Sequence, residues 1–333
     1  MARIESVDVF RFAAIAGVIA LHTHPYNASP SITTILIDQV SRFAVPFFFA
    51  ISGYFWGLKI RSGVPTMAAS VPMAKRILLL FIAWSLIYLI PFSELPSHSI
   101  LNIAKGAYWN AEGQLRTPVT LIFDGTSIHL WFLNGLLWAL AITAFFVNSK
   151  KVIPFLFVAV FLYCAGLLAK AYSGTPLGLH TTFNTRDGPF FGTIFFASGY
   201  LLSGMRPDEK WLAKGMMLLL AGYALQFSEI YFLSRHYGAT PFQDYVAGTY
   251  LTGMGATIAA LSNHPLLRLS IFSSLGRLTL GIYAIHYAFI DMLRHNTRNM
   301  HLPWEFYFFS VLALSVAAAL LLSKNRYSKK LVM

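Results

Sequence analysis

The chain has 333 residues, of which 56% are hydrophobic and only 11% charged, and its mean hydropathy is +0.60. This composition excludes an ordinary soluble domain and predicts an integral membrane protein. The net charge of +12 would suggest a nucleic-acid partner for a soluble protein, but in a membrane protein the position of the cations carries the information, and we expect no nucleic-acid partner. Because Cys164 is the single cysteine, an intramolecular disulfide and a cysteine-based metal site are excluded, and we expect no metal cofactor.

Ten apolar segments follow one another along the chain, each of a length that suits a membrane-spanning helix. The predicted spans are 7–24, 36–57, 75–92, 130–147, 152–169, 189–205, 211–233, 245–262, 276–293 and 304–323. With a cytoplasmic amino terminus, sixteen of the 25 Lys and Arg residues fall in inside segments and seven in outside segments. The positive-inside tendency therefore predicts an all-α, polytopic membrane helix bundle of about ten transmembrane helices, with both termini cytoplasmic. We expect one membrane-embedded domain, residues 1–333.

The first span contains the stretch RFAAIAGVIALH, with a cation at Arg11 and an imidazole at His22. Eleven positions correspond to roughly three helical turns, so both side chains share one face and lie about 16 Å apart along the axis. Asp8 lies one turn before Arg11, where it can form an i,i+3 pair. Snorkelling of Arg11 and an interfacial His22 would explain each residue singly. Their combination on one face favours a polar route through the bundle, whereas we expect His24 to belong to the outer interface.

The second span contains PFFFAISGYFWG, in which Ser52 and Gly53 form either a helix-packing notch or a ligand contact. The longest outer loop, 93–128, mixes aromatic, amide and acidic side chains with Gly and Pro. We expect it to form a folded lid or a re-entrant segment at the outer face.

Later spans carry further polar groups at membrane depth. The segment HLWFLNGLLWAL begins with His129 and Trp131, where an aromatic belt at the outer interface is expected anyway. Glu229 lies near the outer end of its span, where it either orients a histidine or faces water. In LGRLTLGIYAIHYAFI, Tyr283 and His286 lie one turn apart, and both need partners inside the membrane.

The motifs of soluble hydrolases, nucleotide-binding enzymes and zinc proteases are absent: there is no GxSxG, no glycine-rich phosphate loop and no HExxH. A histidine with an accessible nitrogen is therefore the best general base that the sequence offers.

The first span resembles the signature of the membrane acyltransferase 3 family, in which a basic residue and a histidine separated by ten residues stand on the first transmembrane helix. Here these residues are Arg11 and His22, preceded by the acid of an Asp-x-x-Arg pattern, Asp8. Further similarities follow in the family's order along the whole chain: PFFFAISGYFWG, HLWFL, FFASGYLL and SLGRLTLGIYAIH.

One feature departs from the pattern of that family. Members often carry an Arg-x-x-Arg pair at the inner start of the third span, thought to meet the acyl-CoA, whereas here PMAKRILL offers only Lys75 and Arg76. The chain also resembles the stand-alone form, without the soluble esterase-like extension of some members. We therefore expect the acceptor to be presented directly to the membrane domain.

The resemblance implies transfer of a short acyl group, usually acetyl, from cytoplasmic acyl-CoA (acetyl-CoA) to a hydroxyl of a glycan or lipid-linked saccharide outside a bacterial cytoplasmic membrane. Arg11, Lys75 and Arg76, supported by Asp8, would hold the phosphates of the donor. His22 would act as general base or as the carrier of an acyl-histidine intermediate. The residues that we place beside the acyl group or the acceptor are Ser52, His129, Trp131, Glu229, Tyr283 and His286.

Two other functions fit the same residues. A proton-coupled secondary transporter or exporter also uses many spans with buried His, Arg and Glu. A non-catalytic ligand sensor on the same scaffold is a third interpretation, against which the presence of both Arg11 and His22 weighs. The acceptor sugar, the acyl group and the oligomeric state stay open at this point.

Overall fold

The computed structural model describes residues 3–24, 31–95, 99–297, 300 and 302–332, and within these ranges the regular structure is helical with no strand. The predicted all-α fold is therefore confirmed. The α-helices are α1 Glu5–Thr23, α2 Ile32–Ser41, α3 Ala44–Arg61, α4 Thr66–Ile87, α5 Ile100–Leu115, α6 Pro118–Asp124, α7 Trp131–Asn148, α8 Val152–Leu168, α9 Pro189–Leu202, α10 Trp211–Tyr237, α11 Ala247–Leu261, α12 Ser270–Gly276, α13 Thr279–Thr297, α14 Trp304–Lys324 and α15 Lys329–Val332.

Among the described residues, six helical segments are long and apolar enough to cross a membrane. They are Glu5–Thr23, Ile32–Arg61, Thr66–Ile87, Ile128–Asn148, Trp211–Tyr237 and Trp304–Lys324. Two shorter apolar helices are Val152–Leu168 and Pro189–Leu202. The molecule is thus a polytopic helical membrane protein, and each of the ten predicted spans overlaps helical structure, the second of them covering parts of α2 and α3. The count of ten crossings and the orientation of the termini stay predictions.

The second predicted span is not one continuous helix, because α2 ends at Ser41 and α3 begins at Ala44. Pro46 explains the break, since it has no N–H to donate to the carbonyl of Arg42. The regular ladder resumes with the bond from Phe47 N to the carbonyl of Phe43, 3.0 Å long. The interruption leaves Arg42 at the junction of the two helices, where its guanidinium pairs with Asp38 at 2.9 Å.

The predicted outer lid, residues 93–128, is largely helical and consists of α5 and α6, while residues 96–98 lie outside the described part of the chain. The third predicted span also begins earlier than expected, since α4 starts at Thr66 and runs through Pro72. The earlier start adds more than two turns to the beginning of α4, and the added turns lie just before Arg76.

Small residues allow the central helices to pack closely. A methyl group at Gly53 of α3 would overlap the carbonyl oxygen of Phe196 on α9, and one at Gly199 would overlap that of Ala50. Only glycine permits this distance between the two backbones. The packing notch predicted at Gly53 is therefore present, and α3 and α9 are in direct backbone contact.

His24, which we expected at the outer interface, is enclosed by protein and contacts α2. Its side chain is fully buried, and its Nε2 lies 3.1 Å from a carboxylate oxygen of Asp38 on α2. The carboxylate supplies the partner that a buried imidazole needs, and it also binds Arg42. His24 therefore helps to join α1 to α2.

Candidate active site

Three imidazole rings from distant parts of the chain meet inside the bundle. His22 lies near the end of α1, His129 lies in the single turn before α7, and His286 lies on α13. The ring centroids of His22 and His286 are 5.5 Å apart, and those of His129 and His286 are 5.0 Å apart. We call these three residues the histidine cluster. The sequence had placed His129 at an interfacial aromatic belt, but its side chain is buried, with 2% of the residue exposed.

Tyrosine side chains hold the histidine cluster in place. The ring of Tyr88 packs edge-on against His129 at 4.9 Å, and the ring of Tyr287 stacks on His129 at 5.2 Å. The Tyr283 hydroxyl donates a hydrogen bond to the carbonyl oxygen of His129, and the Tyr88 hydroxyl donates one to the carbonyl of Ala284 at 2.7 Å. These bonds tie α4 and α7 to α13, so the imidazole positions are fixed by rigid elements.

The hydrogen bonds of His286 define its tautomer. Its Nδ1 lies 2.6 Å from the carbonyl oxygen of Tyr283. Since a carbonyl only accepts, Nδ1 carries the hydrogen, and Nε2 of the neutral ring is an acceptor. In the described part of the chain, neither this Nε2 nor that of His129 has a hydrogen-bond partner, although both atoms are buried. Buried polar atoms without partners are rare, so a reacting group or a water has a place beside them.

An inner cavity of about 390 Å³ leads from the start of α1 toward the histidine cluster. Three guanidinium groups line it, those of Arg11, Arg76 and Arg277, and Tyr283 forms part of its wall at the cluster. We call this end of the bundle the inner end, because the charge distribution predicts it to be cytoplasmic. Ser52 also lines the inner cavity while its hydroxyl donates to the carbonyl of Phe48 at 2.7 Å.

The predicted Asp8–Arg11 pair is present, with a carboxylate oxygen 2.9 Å from the guanidinium. Asp8 also pairs with Arg3 at 2.8 Å and is nearly fully buried. The backbone of α12 approaches α1 so closely that a methyl group at Gly276 would overlap the carbonyl of Asp8. This contact places Arg277, the next residue, beside the same mouth as Arg11.

The sequence analysis did not assign Arg277 to the donor site, and it assigned Lys75 to that site together with Arg76. Lys75 is exposed and does not line the inner cavity, whereas Arg76 does. The signal for Arg277 was present in SLGRLTLGIYAIH. In this motif, Arg277 lies at the inner end of the span that carries His286. Arg11 has the same position in the span that carries His22.

An outer cavity of about 670 Å³ lies on the other side of the histidine cluster. Tyr88 and Tyr287, which pack against His129, form part of its wall. Its polar lining comes from the predicted lid, the adjoining turns and the end of α13: Ser93, Glu94, Trp109, Asn110, Ser127, Asp291 and Arg294. The histidine cluster thus contacts the wall of the cationic inner cavity through Tyr283, and the wall of the outer cavity through Tyr88 and Tyr287.

Two predicted substrate residues have other partners. Glu229 accepts hydrogen bonds from the backbone N–H groups of Ala247 and Gly248, at 3.2 and 2.7 Å, and from the hydroxyl of Tyr172. It therefore caps the first turn of α11, where an anion is favoured. Trp131 is buried, with 7% of the residue exposed, so its ring faces protein rather than lipid, and its place beside the acceptor stays a prediction.

Trp131 instead connects the site to an ionic network in the outer loops. The guanidinium of Arg186 lies over its ring at 4.7 Å. Burial raises the pKa of Asp187, the neighbour of Arg186, to about 7, and Asp124 adds to the rise while Arg186 opposes it. Burial alone would also raise the pKa of Asp244, but Arg186 and the neighbouring cations hold it well below its usual range.

The described ranges contain no group of three or more His, Cys, Asp and Glu residues arranged to hold a metal ion. The chemistry that the cluster offers is acid–base or nucleophilic chemistry of imidazoles between two cavities.

A family model described as an acyltransferase domain matches residues 4–324. The chain belongs to the acyltransferase 3 family. The matched range contains the whole histidine cluster and all three arginines of the inner cavity, and this member of the family is a polytopic helical membrane protein.

Curated relatives of this acyltransferase 3 chain are longer proteins. An "Amino-acid racemase" of Enterococcus faecalis is 30% identical over 238 residues, which cover 68% of this chain and 31% of the relative. A "Serine/alanine racemase" of Enterococcus gallinarum is 27% identical over 232 residues, which cover 65% of this chain and 31% of the relative. The chain thus spans about a third of the length of these relatives. No solved structure matches the chain.

Proposed function

We propose that this acyltransferase transfers a short acyl group, acetyl in the simplest case, from cytoplasmic acyl-CoA to a hydroxyl of a glycan or glycolipid outside a bacterial cytoplasmic membrane. One observation carries the proposal. The histidine cluster lies between an inner cavity lined by Arg11, Arg76 and Arg277 and an outer cavity with carboxylate, amide and aromatic walls. Donor and acceptor therefore have separate sites that meet at a base.

The inner cavity suits the donor. Coenzyme A is anionic at its nucleotide end and thin along its pantetheine arm, and guanidinium groups bind phosphates by charge-assisted, bidentate hydrogen bonds. Arg76 and Arg277 are exposed at the mouth, while Arg11 is held by Asp8. The volume of about 390 Å³ lies within the usual range of small-molecule sites, and it accommodates the arm rather than the nucleotide. The thioester then reaches the cluster at Tyr283.

His22 is the proposed general base. Its ring takes the proton of the acceptor hydroxyl as that oxygen attacks the thioester carbonyl carbon, and the C–S bond breaks. The CoA sulfur leaves as a thiolate, takes the proton from the imidazolium and departs as the thiol, which leaves an ester on the acceptor. In the covalent variant, the ring nitrogen attacks first and the hydroxyl then accepts the acyl group from acyl-His22. His286, with its hydrogen fixed on Nδ1, presents an unprotonated Nε2 toward the same space.

The test uses membranes with radiolabelled acetyl-CoA and follows both the release of CoA thiol and the label in the carbohydrate and lipid-linked fractions. His22→Ala should abolish labelling, because general bases contribute about 10²- to 10⁴-fold to rate. His180→Ala, at an exposed histidine of an outer loop, should leave it unchanged. Full acylation of the acceptor by His22→Ala would contradict the proposal.

The same assay separates acyl transfer from proton-coupled transport. A transporter predicts substrate flux that collapses with the proton gradient and does not depend on acyl-CoA. Labelling by the acyltransferase should depend on acetyl-CoA and persist in detergent-solubilised protein, where no gradient exists.

A further inference from the structure

A third cavity, of about 740 Å³, lies between α4, α5, α6 and α7, and we call it the apolar cavity. Its walls are mainly aliphatic, with Leu78, Ile82 and Leu86 from α4 and Leu137 and Ala141 from α7. The three α4 side chains are also exposed at the surface of the bundle, with 46 to 62% of each residue accessible. Since this surface faces lipid in a membrane, an occupant of the apolar cavity can enter it sideways from the bilayer.

The apolar cavity adjoins the outer cavity and shares no lining residue with the inner one. Leu89, Gln114 and Thr126 line both the apolar and the outer cavity. The inner cavity shares none of these lining residues; it is bordered by Ile77 and Leu80 on another face of α4. A hydrocarbon chain in the apolar cavity therefore belongs to a molecule whose head lies on the acceptor side of the histidine cluster, not to the acyl-CoA.

The apolar cavity has polar atoms without partners where it approaches the outer cavity. Within the described part of the chain, the Ser85 hydroxyl oxygen and the Gln114 amide oxygen are buried and make no hydrogen bond. Both residues line the apolar cavity, and Gln114 lines the outer one as well. A buried polar atom costs about 1–3 kcal/mol if it stays unpaired, so the junction fits a polar linkage between a tail and a head.

The outer cavity suits a hydroxyl-rich, uncharged head. It contains two carboxylates, Glu94 and Asp291, and one guanidinium, Arg294, whose N–H also donates to the backbone carbonyl of His22 at 2.6 Å. This balance does not favour a phosphate beside the histidine cluster. Carboxylates and the amide of Asn110 are hydrogen-bond partners for hydroxyls, and the aromatic face of Trp109 adds an apolar surface.

We propose that the acceptor is a glycolipid, with its hydrocarbon chain in the apolar cavity and its sugar in the outer cavity beside the histidine cluster. The role of the glycolipid as acceptor rests on the proposed function. The binding of the glycolipid does not depend on that function. The arrangement anchors the sugar in the membrane and leaves a hydroxyl within reach of His22. The donor approaches the same residues from the inner cavity.

Photolabelling of the intact protein in phosphatidylethanolamine and phosphatidylglycerol nanodiscs tests the site without acyl-CoA. The probe is hexadecyl β-D-glucoside with a diazirine in its chain, and labelled peptides are mapped by mass spectrometry. Ala141→Trp fills the apolar cavity and should reduce labelling of α4 and α7 by about fivefold or more, since large side chains are poorly accommodated in an occupied space. The matched control is Ala221→Trp, at an exposed position of α10 away from the cavity lining, which should label like the wild type.

Two results would overturn the proposal. Label spread evenly over the lipid-facing helices and unchanged by Ala141→Trp would identify ordinary boundary lipid. The same pattern from a diazirine phosphatidylcholine probe would show that the site does not select a sugar head. Melting curves of both variants in nanodiscs establish that each is folded before labelling is compared.

A transfer assay then connects binding with the reaction. With labelled acetyl-CoA, the KM for alkyl β-D-glucosides should fall as the alkyl chain lengthens from methyl to dodecyl, and Ala141→Trp should remove this dependence. A KM that does not change with chain length overturns the glycolipid assignment, even if methyl glucoside is acylated. Absence of all transfer together with site-specific photolabelling would instead contradict the proposed function and leave the lipid site standing.

Discussion

The imidazole rings of His22 and His286 lie 5.5 Å apart, one near the end of the first helix and the other in the middle of α13. The His286 ring is oriented by the Tyr283 carbonyl, whereas the ring of His22 is half-buried and faces both His286 and Tyr287. The two rings therefore differ: His286 has a fixed tautomer, and His22 is the ring that we propose exchanges a proton with the substrate.

This inequality predicts different effects of substitution at the two histidines. His22→Gln should reduce kcat for acyl transfer by about 100-fold or more, because glutamine cannot take a proton. His286→Asn, whose amide N–H takes the place of Nδ1 and can still donate to the Tyr283 carbonyl, should cost roughly tenfold. The double variant should be little slower than His22→Gln alone, since residues that act as a unit are not additive. Equal losses in the single variants, or fully additive losses in the double variant, would contradict this assignment.

The inner cavity predicts which cations recognise the acyl-CoA. Arg76→Ala and Arg277→Ala should each raise the KM for acetyl-CoA by roughly tenfold with little change in kcat, since each removes a charge-assisted hydrogen bond to a phosphate. Lys75→Ala is the matched control, because Lys75 precedes Arg76 in the chain but does not line the cavity. Steady-state kinetics at two ionic strengths measure the effect. A larger rise in KM for Lys75→Ala than for Arg76→Ala would contradict the assignment of Arg76, rather than Lys75, to the donor site.

Local features of the site could be predicted from the sequence because they depend on helical periodicity. The Asp8–Arg11 pair follows from a spacing of three residues, and the hydroxyl of Ser52 bonds to the carbonyl four residues earlier. The close packing at Gly53 follows from the absence of a side chain. In each case the partner is a neighbour on the same helix, or the residue type alone sets the geometry.

Contacts between distant segments could not be predicted in this way. His129 looked interfacial because it precedes an apolar span, and only the approach of α13 shows that it is buried beside His286. Glu229 looked available for a histidine, but the start of α11 supplies its donors. Both depend on how helices far apart in the chain pack together, and a single sequence carries little information about that packing.

Asp8 predicts a link between stability and donor binding. Its buried carboxylate pairs with both Arg3 and Arg11, so Asp8→Asn should destabilise the protein by about 1–3 kcal/mol and raise the KM for acetyl-CoA through a misplaced Arg11. The control is Glu112→Gln, which removes a solvent-facing pair with Arg116 and should cost less than about 1 kcal/mol. Thermal melting in nanodiscs and donor kinetics measure the two effects. A wild-type KM in Asp8→Asn would show that Arg11 does not depend on this pair.

Asp187 predicts a dependence of stability on pH. Burial raises the pKa of this loop carboxyl to about 7, with a further rise from Asp124, although Arg186 opposes it. At a pH between 3.8, the ordinary pKa, and about 7, the folded protein therefore keeps a proton on Asp187, whereas the unfolded chain has released it. Because the folded state binds more protons between these two values, stability falls as the pH rises from about 4 to about 7, and the loss is complete above the folded pKa.

Asp187→Asn removes this titration while keeping a side chain of similar size. The melting temperature of the wild type should therefore fall more than that of Asp187→Asn between about pH 5 and pH 8, with most of the difference accumulated below about pH 7. Asp208→Asn is the control, because it replaces an exposed loop carboxyl by the same amide, and it should keep the wild-type slope. Melting curves in nanodiscs, recorded across this pH range, measure the three slopes. A slope in Asp187→Asn equal to that of the wild type would mean that the Asp187 carboxyl is already ionised in the folded protein at about pH 5, with Arg186 outweighing the cost of its burial.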